Sequence, residues 1–375
     1  MQKKRLAVVT ATRAEYGLLR RVIETLLKSD KILPEVIVTG AHLSPLYGNT
    51  VEEIEKDGIP IAHRVDILKF GSGRVETAQT VAFTIQKFTE LFASNPPDGC
   101  LVLGDRYEIF AVGAATAMLQ IPLVHISGGD VTLGAADEWF RHCLTKMAKL
   151  HFPSCEEYAQ RVIRMGEQPQ WVFNVGGLGD ENIRKLPRMP LKELSDSIGF
   201  PLQEKGFGLV TFHPETVPSA SPLEQMEELL WAMEQLPQLQ WVITKANADA
   251  GGQEINQRID QWCAGRTNAK AFVVVGNSSS GVVETPTFGV PTVNIGDRQR
   301  GRILCDNVLC CPPEGQAILQ KIQMALSAEF AQKAAATQSP YNGGDTAKKI
   351  CAILEEKMFC KEFTQPKKFY DVREQ

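Results

Sequence analysis

Apolar and polar positions alternate between two rhythms along this chain. Short apolar or β-branched runs occur at residues 6–10, 36–39, 100–103, 123–126, 171–175, 209–211, 241–244, 272–275 and 292–295. Longer stretches with helical periodicity lie between them, at 15–28, 78–92, 109–119 and 223–235. That alternation is the one expected of βα units around a parallel sheet. The segment 176–206 is rich in Gly, Pro and charge and breaks the rhythm, so the domain boundary is placed there. The expected fold class is α/β: two Rossmann-like, doubly wound domains facing a cleft. Their ranges are 1–178 and 179–345, with a C-terminal helix in 346–375 packing back on the first domain. Ligands of such sheets collect at the carboxyl ends of strands.

Composition narrows the function. The chain has 375 residues, 43% hydrophobic and 22% charged, which is ordinary globular composition with length for about two domains. A formal net charge of −4 argues against a nucleic-acid or membrane-surface partner, so an anionic ligand must be met by local groups. Nine cysteines, odd in number and without CxxC spacing, read as reduced thiols of a cytoplasmic protein. The apolar run near the start is too short for a signal peptide, and no stretch approaches the ~18 apolar residues of a membrane span.

The strand ends carry polar, glycine-rich turns: "TATRAEYG" (10–17), "GDRYE" (104–108), "SGGD" (127–130), "FHPET" (212–216), "KANADAGG" (245–252), "GNSSSG" (276–281) and "GDRQRGR" (296–302). Three serines between two glycines, ahead of an expected helix around 282–284, leave backbone N–H groups uncovered and add hydroxyl donors. A helix N-terminus adds about half a positive charge, so this turn suits a phosphate. The same run also reads as a plain glycine- and serine-rich helix cap. Arg298, Arg300 and Arg302 follow the next strand, and Glu284 is placed to accept two ribose hydroxyls. Together they describe a nucleoside diphosphate site. It is not a P-loop, since no lysine follows the glycine, and "TATRAEYG" lacks the GxGxxG of a dinucleotide cofactor site.

These turns in this order, with "GGDVTLGAADEWFRHCLTKMAKLHFP" (128–153) and "GNSSSGVVETPTFGVPTVNIGDRQRGR" (276–302), resemble the hydrolysing UDP-N-acetylglucosamine 2-epimerases of sialic and legionaminic acid synthesis. The resemblance covers nearly the whole chain. It implies a glycosyltransferase-B type fold, no redox or metal cofactor, and conversion of a UDP-sugar and water to UDP and the free 2-epimeric sugar. It assigns Arg13 and Arg106 to the nucleotide or its phosphates, His213 to an essential, catalytic place beside the diphosphate and Asn247 to the cleft. Ser278 and Ser279, with Ser280 and Gly281, form the phosphate cradle; Glu284 takes the ribose and Arg298 the diphosphate. Asp105 and Asp137 correspond to catalytic acids. Where relatives carry a third acid this chain has Ser127, so either Asp130 takes over or the assignment differs. Gly17 stands where some relatives have a nucleotide-touching serine, and a segment usually present before residue 272 is missing. A homodimer or homotetramer is implied.

Each residue has a simpler reading beside this one. Asp105 and Asp137 could cap helices, Asp130 could form a turn, His125 could pack on the sheet and His142 could cap a helix. Tyr16, Tyr107 and Phe288 read as core, and the basic C-terminal "KKFYDVREQ" as solvated. Two other functions stay open: a non-hydrolysing epimerase or glycosyltransferase on the same scaffold, and a non-catalytic UDP-sugar sensor.

Overall fold

The structure, a computed structural model, describes residues 2–71, 73–133, 137–202, 206–213, 221–246, 252–264 and 274–372. It divides into two compact units. The first comprises residues 1–130, 137–182 and 341–375, the second 131–136 and 183–340.

The first unit runs β1 (Lys4–Thr10), α1 (Arg13–Leu26), β2 (Ile32–Thr39), α2 (Val51–Lys56), β3 (Ile61–Val65), α3 (Arg74–Ser94), β4 (Gly99–Leu103), α4 (Tyr107–Met118), β5 (Leu123–Ile126), α5 (Asp137–Met147), β6 (Leu150–Phe152) and α6 (Glu156–Arg164). The helices α7 (Leu178–Lys185) and α8 (Leu191–Ser197) follow, in the stretch expected to be a linker. All pairings are parallel, in the order β3-β2-β1-β4-β5-β6. This is the doubly wound order whose direction reverses between β1 and β4, where such sheets bind ligands. The central runs Leu6–Val9 of β1 and Cys100–Leu103 of β4 are apolar throughout because both faces are covered. Leu6, Val8, Leu101 and Leu103 face a core shared with Leu19 and Ile23, while Ala7, Val9, Cys100 and Val102 face Phe88, Phe92 and Val112.

The second unit runs β7 (Phe207–Thr211), α9 (Pro222–Glu234), β8 (Gln240–Thr244), α10 (Gly252–Cys263), β9 (Val274–Gly276), α11 (Ser280–Val283), α12 (Thr285–Phe288), β10 (Thr292–Ile295), β11 (Val308–Cys311), α13 (Gly315–Ala325) and α14 (Ala328–Ala335). Its parallel sheet has the order β11-β10-β9-β7-β8, which reverses between β7 and β9. The chain returns to the first unit at Tyr341, and α15 (Thr346–Lys357) buries Ala347, Ile350 and Leu354 in the core that holds Leu19 and Ile23.

Some expectations change. The run 171–175 is not a strand: Trp171 ends a 3₁₀ turn begun by Pro169, and only Val172 bridges, to His151. The amides of Phe173 and Val175 then bond the carbonyls of His151 and Pro153, so this segment trims the sheet edge without extending it. The strands β3, β6 and β11 were not legible. β3 alternates half-buried with exposed positions and so carries no apolar run. The segment 131–136 groups with the second unit although it lies inside the range 1–178, and residues 341–345 belong to the first unit. The junction at 268–272 lies outside the described residues. All nine cysteines are free thiols.

Candidate functional site

At the carboxyl end of β1, Thr12 caps α1 and Glu15 closes a reciprocal capping box. Glu15 Oε2 accepts the Ala11 N–H at 2.8 Å and the Thr12 N–H at 3.3 Å. Its Oε1 is buried and has no hydrogen-bond partner among the described residues. Burial pushes the Glu15 pKa up to about 8, with the Ala11 amide opposing, Glu108 adding and Arg106 opposing. Because this value lies above that of an unfolded glutamate, Glu15 contributes stability that is complete below about pH 4.3 and disappears as pH rises to about 8. Glu15→Gln keeps an acceptor for both amides and cannot ionise. Thermal melts should therefore show a flatter stability curve between pH 5 and 8.5, with a gain of about 2–4 °C at the alkaline end, the size of roughly 1 kcal/mol. Parallel curves for variant and parent would refute this. Arg13, the first residue of α1, has a 71% exposed side chain whose nearest ion-pair partner is Glu53 at 3.8 Å.

At the end of β4 the chain turns through Gly104 (φ 80°), and α4 takes its N-cap from Arg106. Asp105 is therefore no cap. Its Oδ2 accepts the Arg141 Nε–H at 2.9 Å and a second, shorter bond from Arg141 Nη2. Arg141, one turn into α5, is only 1% exposed. Its remaining Nη1 donates to the Asp130 carbonyl at 3.1 Å and to Glu138 Oε2 at 2.7 Å. Desolvation of the guanidinium is outweighed by Asp105, Asp130 and Glu138, so Arg141 is held charged. Glu138 Oε1 in turn accepts from His142 Nε2 at 2.9 Å. Asp130 is itself buried, and Asp137 opens α5 in the same turn as Glu138. Arg106 forks onto Glu108 with two 3.2 Å bonds and lies over the Tyr107 ring.

His125 fastens the Asp105 turn from beneath. Its Nε2–H donates to the Gly104 carbonyl at 2.8 Å, and Nδ1 accepts from Thr145 Oγ1 at 3.3 Å. Acceptance at Nδ1 needs the neutral ring, and burial lowers the His125 pKa to about 4. Ser127, which follows β5, adopts φ 65°, a left-handed conformation that costs a non-glycine residue of order 1 kcal/mol or more.

In the second unit, β7 and β9 end side by side. Gly276 (φ 142°) must be glycine, since a Cβ there would lie 2.0 Å from the Thr211 carbonyl oxygen. The next residue, Asn277, is fully buried and clasps the backbone of His213 at both ends. Its Oδ1 accepts the His213 N–H and its Nδ2 donates to the His213 carbonyl, each at 2.8 Å. The Asn277 carbonyl accepts from Arg298 Nη1 at 3.2 Å and from buried Gln299 Nε2 at 2.8 Å. Ser280 Oγ donates to Ser278 Oγ at 3.0 Å, and Ser279 is exposed. The helix expected after the serines is a single turn, because Pro286 has no N–H to continue it and α12 restarts beyond Glu284. The donors the turn offers are therefore local N–H and hydroxyl groups, without the dipole of a long helix. Burial raises the pKa of Glu284, at the junction of the two turns. Asn247 lies outside the described residues.

Residues 24–355 match the protein family described as UDP-N-acetylglucosamine 2-epimerase. The chain belongs to that family. It is 36% identical to polysialic acid biosynthesis protein P7 of Escherichia coli, over 99% of this chain and 98% of that one. It is 35% identical to the GDP/UDP-N,N'-diacetylbacillosamine 2-epimerase (hydrolyzing) of Campylobacter jejuni, over 82% of this chain and 84% of that one. The solved UDP-GlcNAc 2-epimerase of Neisseria meningitidis, bound to UDP-GlcNAc, shares the fold: TM-score 0.79, 19% identity, covering 94% of this chain and all of that one.

In this 2-epimerase family member the first unit gathers Asp105 and Asp130 on Arg141, and the second gathers His213 and Arg298 on Asn277. Sequence reasoning singled out neither organising residue. Arg141 sits in a charged helical stretch where an arginine reads as solvated. Asn277 carried a faint signal, as an amide inside a strand-to-helix turn of very small residues.

Proposed function

We propose that this chain is a hydrolysing UDP-sugar 2-epimerase acting on UDP-N-acetylglucosamine or its 2,4-diacetamido-2,4,6-trideoxy analogue. The products are UDP and the free 2-epimeric sugar. The observation that carries the reading is the buried Arg141 fork on Asp105 at the carboxyl end of β4, in a chain 33–36% identical to relatives that include hydrolysing 2-epimerases. It favours an epimerase over a transferase or a sensor, because it fixes a carboxylate at a strand end, where ligands of such sheets bind, as transfer of a substrate proton requires.

In the proposed reaction the C1–O bond breaks with its electron pair leaving on UDP, and a carboxylate removes the C2 proton. Water then adds across the resulting glycal, its hydroxyl to C1 and a proton to C2 on the other face. Stabilising the departing diphosphate is the largest contribution. We assign it to Arg13, Arg106, His213, Ser278, Ser279, Ser280, the Gly281 amide and Arg298, with Glu284 on the ribose. Asp105, Asp130 and Asp137 handle the proton, and Asp130 acts in place of the acid that Ser127 lacks. Asn247 is assigned to the sugar nucleotide on the resemblance alone. The chain is further proposed to act in the cytoplasm as a homodimer or homotetramer, which light scattering on the purified protein checks.

Incubation with UDP-N-acetylglucosamine, and separately with the diacetamido analogue, in deuterated water should release UDP without an acceptor and place one deuterium at C2 of the free sugar. Release of UDP from neither substrate overturns the proposal. Epimerised UDP-sugar without free UDP would make the enzyme non-hydrolysing.

A further inference from the structure

The C-terminal run 367–375, read from its sequence as solvated, keeps residues 368–372 exposed, yet residues 365–370 are tied along the first unit as a strap. The Tyr370 amide donates to the Gly166 carbonyl at 2.9 Å, and Lys149 Nζ donates to the Gln365 carbonyl at 3.2 Å. Phe369 covers Gly166 so closely that a Cβ there would lie 2.3 Å from its ring, and Lys146 stands over the same ring at 5.0 Å. At the centre is Lys367. Its ammonium donates to the carbonyls of Lys146 at 2.7 Å and Ala148 at 2.8 Å, both at the carboxyl end of α5. It also pairs with Glu167 Oε2 at 2.5 Å. Glu167 is 2% exposed and receives Lys146 Nζ at 2.6 Å and His151 Nε2 at 3.1 Å as well.

The last carbonyls of a helix lack intrahelical donors and carry partial negative charge, so an ammonium bonded to them fixes the helix end. From that end a continuous set of contacts runs to the acid cluster. Thr145, in the last turn of α5, bonds His125, which bonds the Gly104 carbonyl next to Asp105. One turn earlier on α5, Arg141 holds Asp105 itself.

We propose that the C-terminal segment is a positioning strap: Lys367, clamped between the carboxyl end of α5 and Glu167, holds α5 where Arg141 and Thr145 keep Asp105 aligned. The catalytic consequence rests on the function proposed above; the structural one does not. Lys367 is a positioning residue and touches no reacting atom.

The test uses the full-length protein with Lys367→Met, which keeps the apolar stem and removes the charge, and Lys367→Arg. Backbone hydrogen exchange of residues 137–148 should be about 10-fold faster in the methionine variant, as local opening becomes easier. Its kcat should fall about 10-fold while KM changes less than about 2-fold, the pattern of a lost transition-state contact. Arginine should restore most of both. Parental exchange in α5 overturns the strap, and so does a reduced kcat with unchanged exchange. If Lys367→Met does not fold, the double variant Lys367→Met with Glu167→Gln also removes the charge of the buried carboxylate that Lys367 met; parental α5 exchange in that folded protein is equally fatal. Should the parent turn over no UDP-sugar, the proposed function fails while the exchange measurement still decides the strap.

Discussion

Arg141→Met is expected to reduce UDP release at least about 1000-fold and to destabilise the fold by roughly 3–5 kcal/mol, the range for removing one partner of a buried ion pair. The guanidinium is 1% exposed and meets Asp105, Glu138 and the Asp130 carbonyl in three directions. Methionine fills the space but takes the guanidinium away from both Asp105 and Glu138. Lysine is no substitute, because one ammonium cannot reproduce a planar fork that reaches all three acceptors. We therefore expect Arg141→Lys to recover part of the stability and little of the rate. Combining Arg141→Met with Asp105→Asn and Glu138→Gln removes the stranded charges, so denaturant melts should regain most of the lost stability while UDP release stays absent. Parental kcat in folded Arg141→Met would remove Arg141 from the site altogether.

The second large effect is expected at Asn277. The donor and acceptor of the His213 backbone determine which end of the amide is oxygen, so its orientation is set by the partners themselves. Asn277→Ala removes both hydrogen bonds to the partly buried His213 backbone, at about 0.5–1.5 kcal/mol for each. It also loosens the turn whose carbonyl receives Arg298 and Gln299. UDP affinity measured by calorimetry should fall about 30-fold, equivalent to ~2 kcal/mol. Asn277→Asp is the sharper probe. One carboxylate oxygen can still accept the His213 N–H, but the other meets the His213 carbonyl, and only the protonated acid can donate to it. The aspartate variant should thus bind UDP better as pH falls toward 5, a dependence opposite to any loss caused by general unfolding in acid. Parental UDP affinity in Asn277→Ala, with a lowered melting temperature, would leave the clasp a structural role only.

The two organising residues show where reading the sequence stops. Asp105, Asp130, His213 and Arg298 follow predicted strands and could be named as strand-end chemistry. Their partners could not. Arg141 and Asp105 are separated by 36 residues, and His213 and Asn277 by 64. No local period links such pairs; they meet because parallel strands deliver their carboxyl ends to one side of a sheet. Lys367 is the extreme case, more than 200 residues from the helix end that it caps. Its side chain is only partly covered, 25% exposed; that partial desolvation lowers its pKa, and the Glu167 carboxylate opposes the shift. The one-turn helix after Ser279 is a smaller case: Pro286 is plain in the sequence, but only the structure shows the turn ending at Val283 and restarting at Thr285.

By itself, the sequence determined the α/β class, most of the strands, the polar turns at their ends and the family, because apolar period and turn chemistry are local and survive without coordinates. Tertiary structure alone decided which charges are buried together, which amide clasps which backbone, and that the last residues brace α5. Those outcomes depend on desolvation and on hydrogen-bond geometry between distant segments, and neither is written in the spacing of residues along the chain.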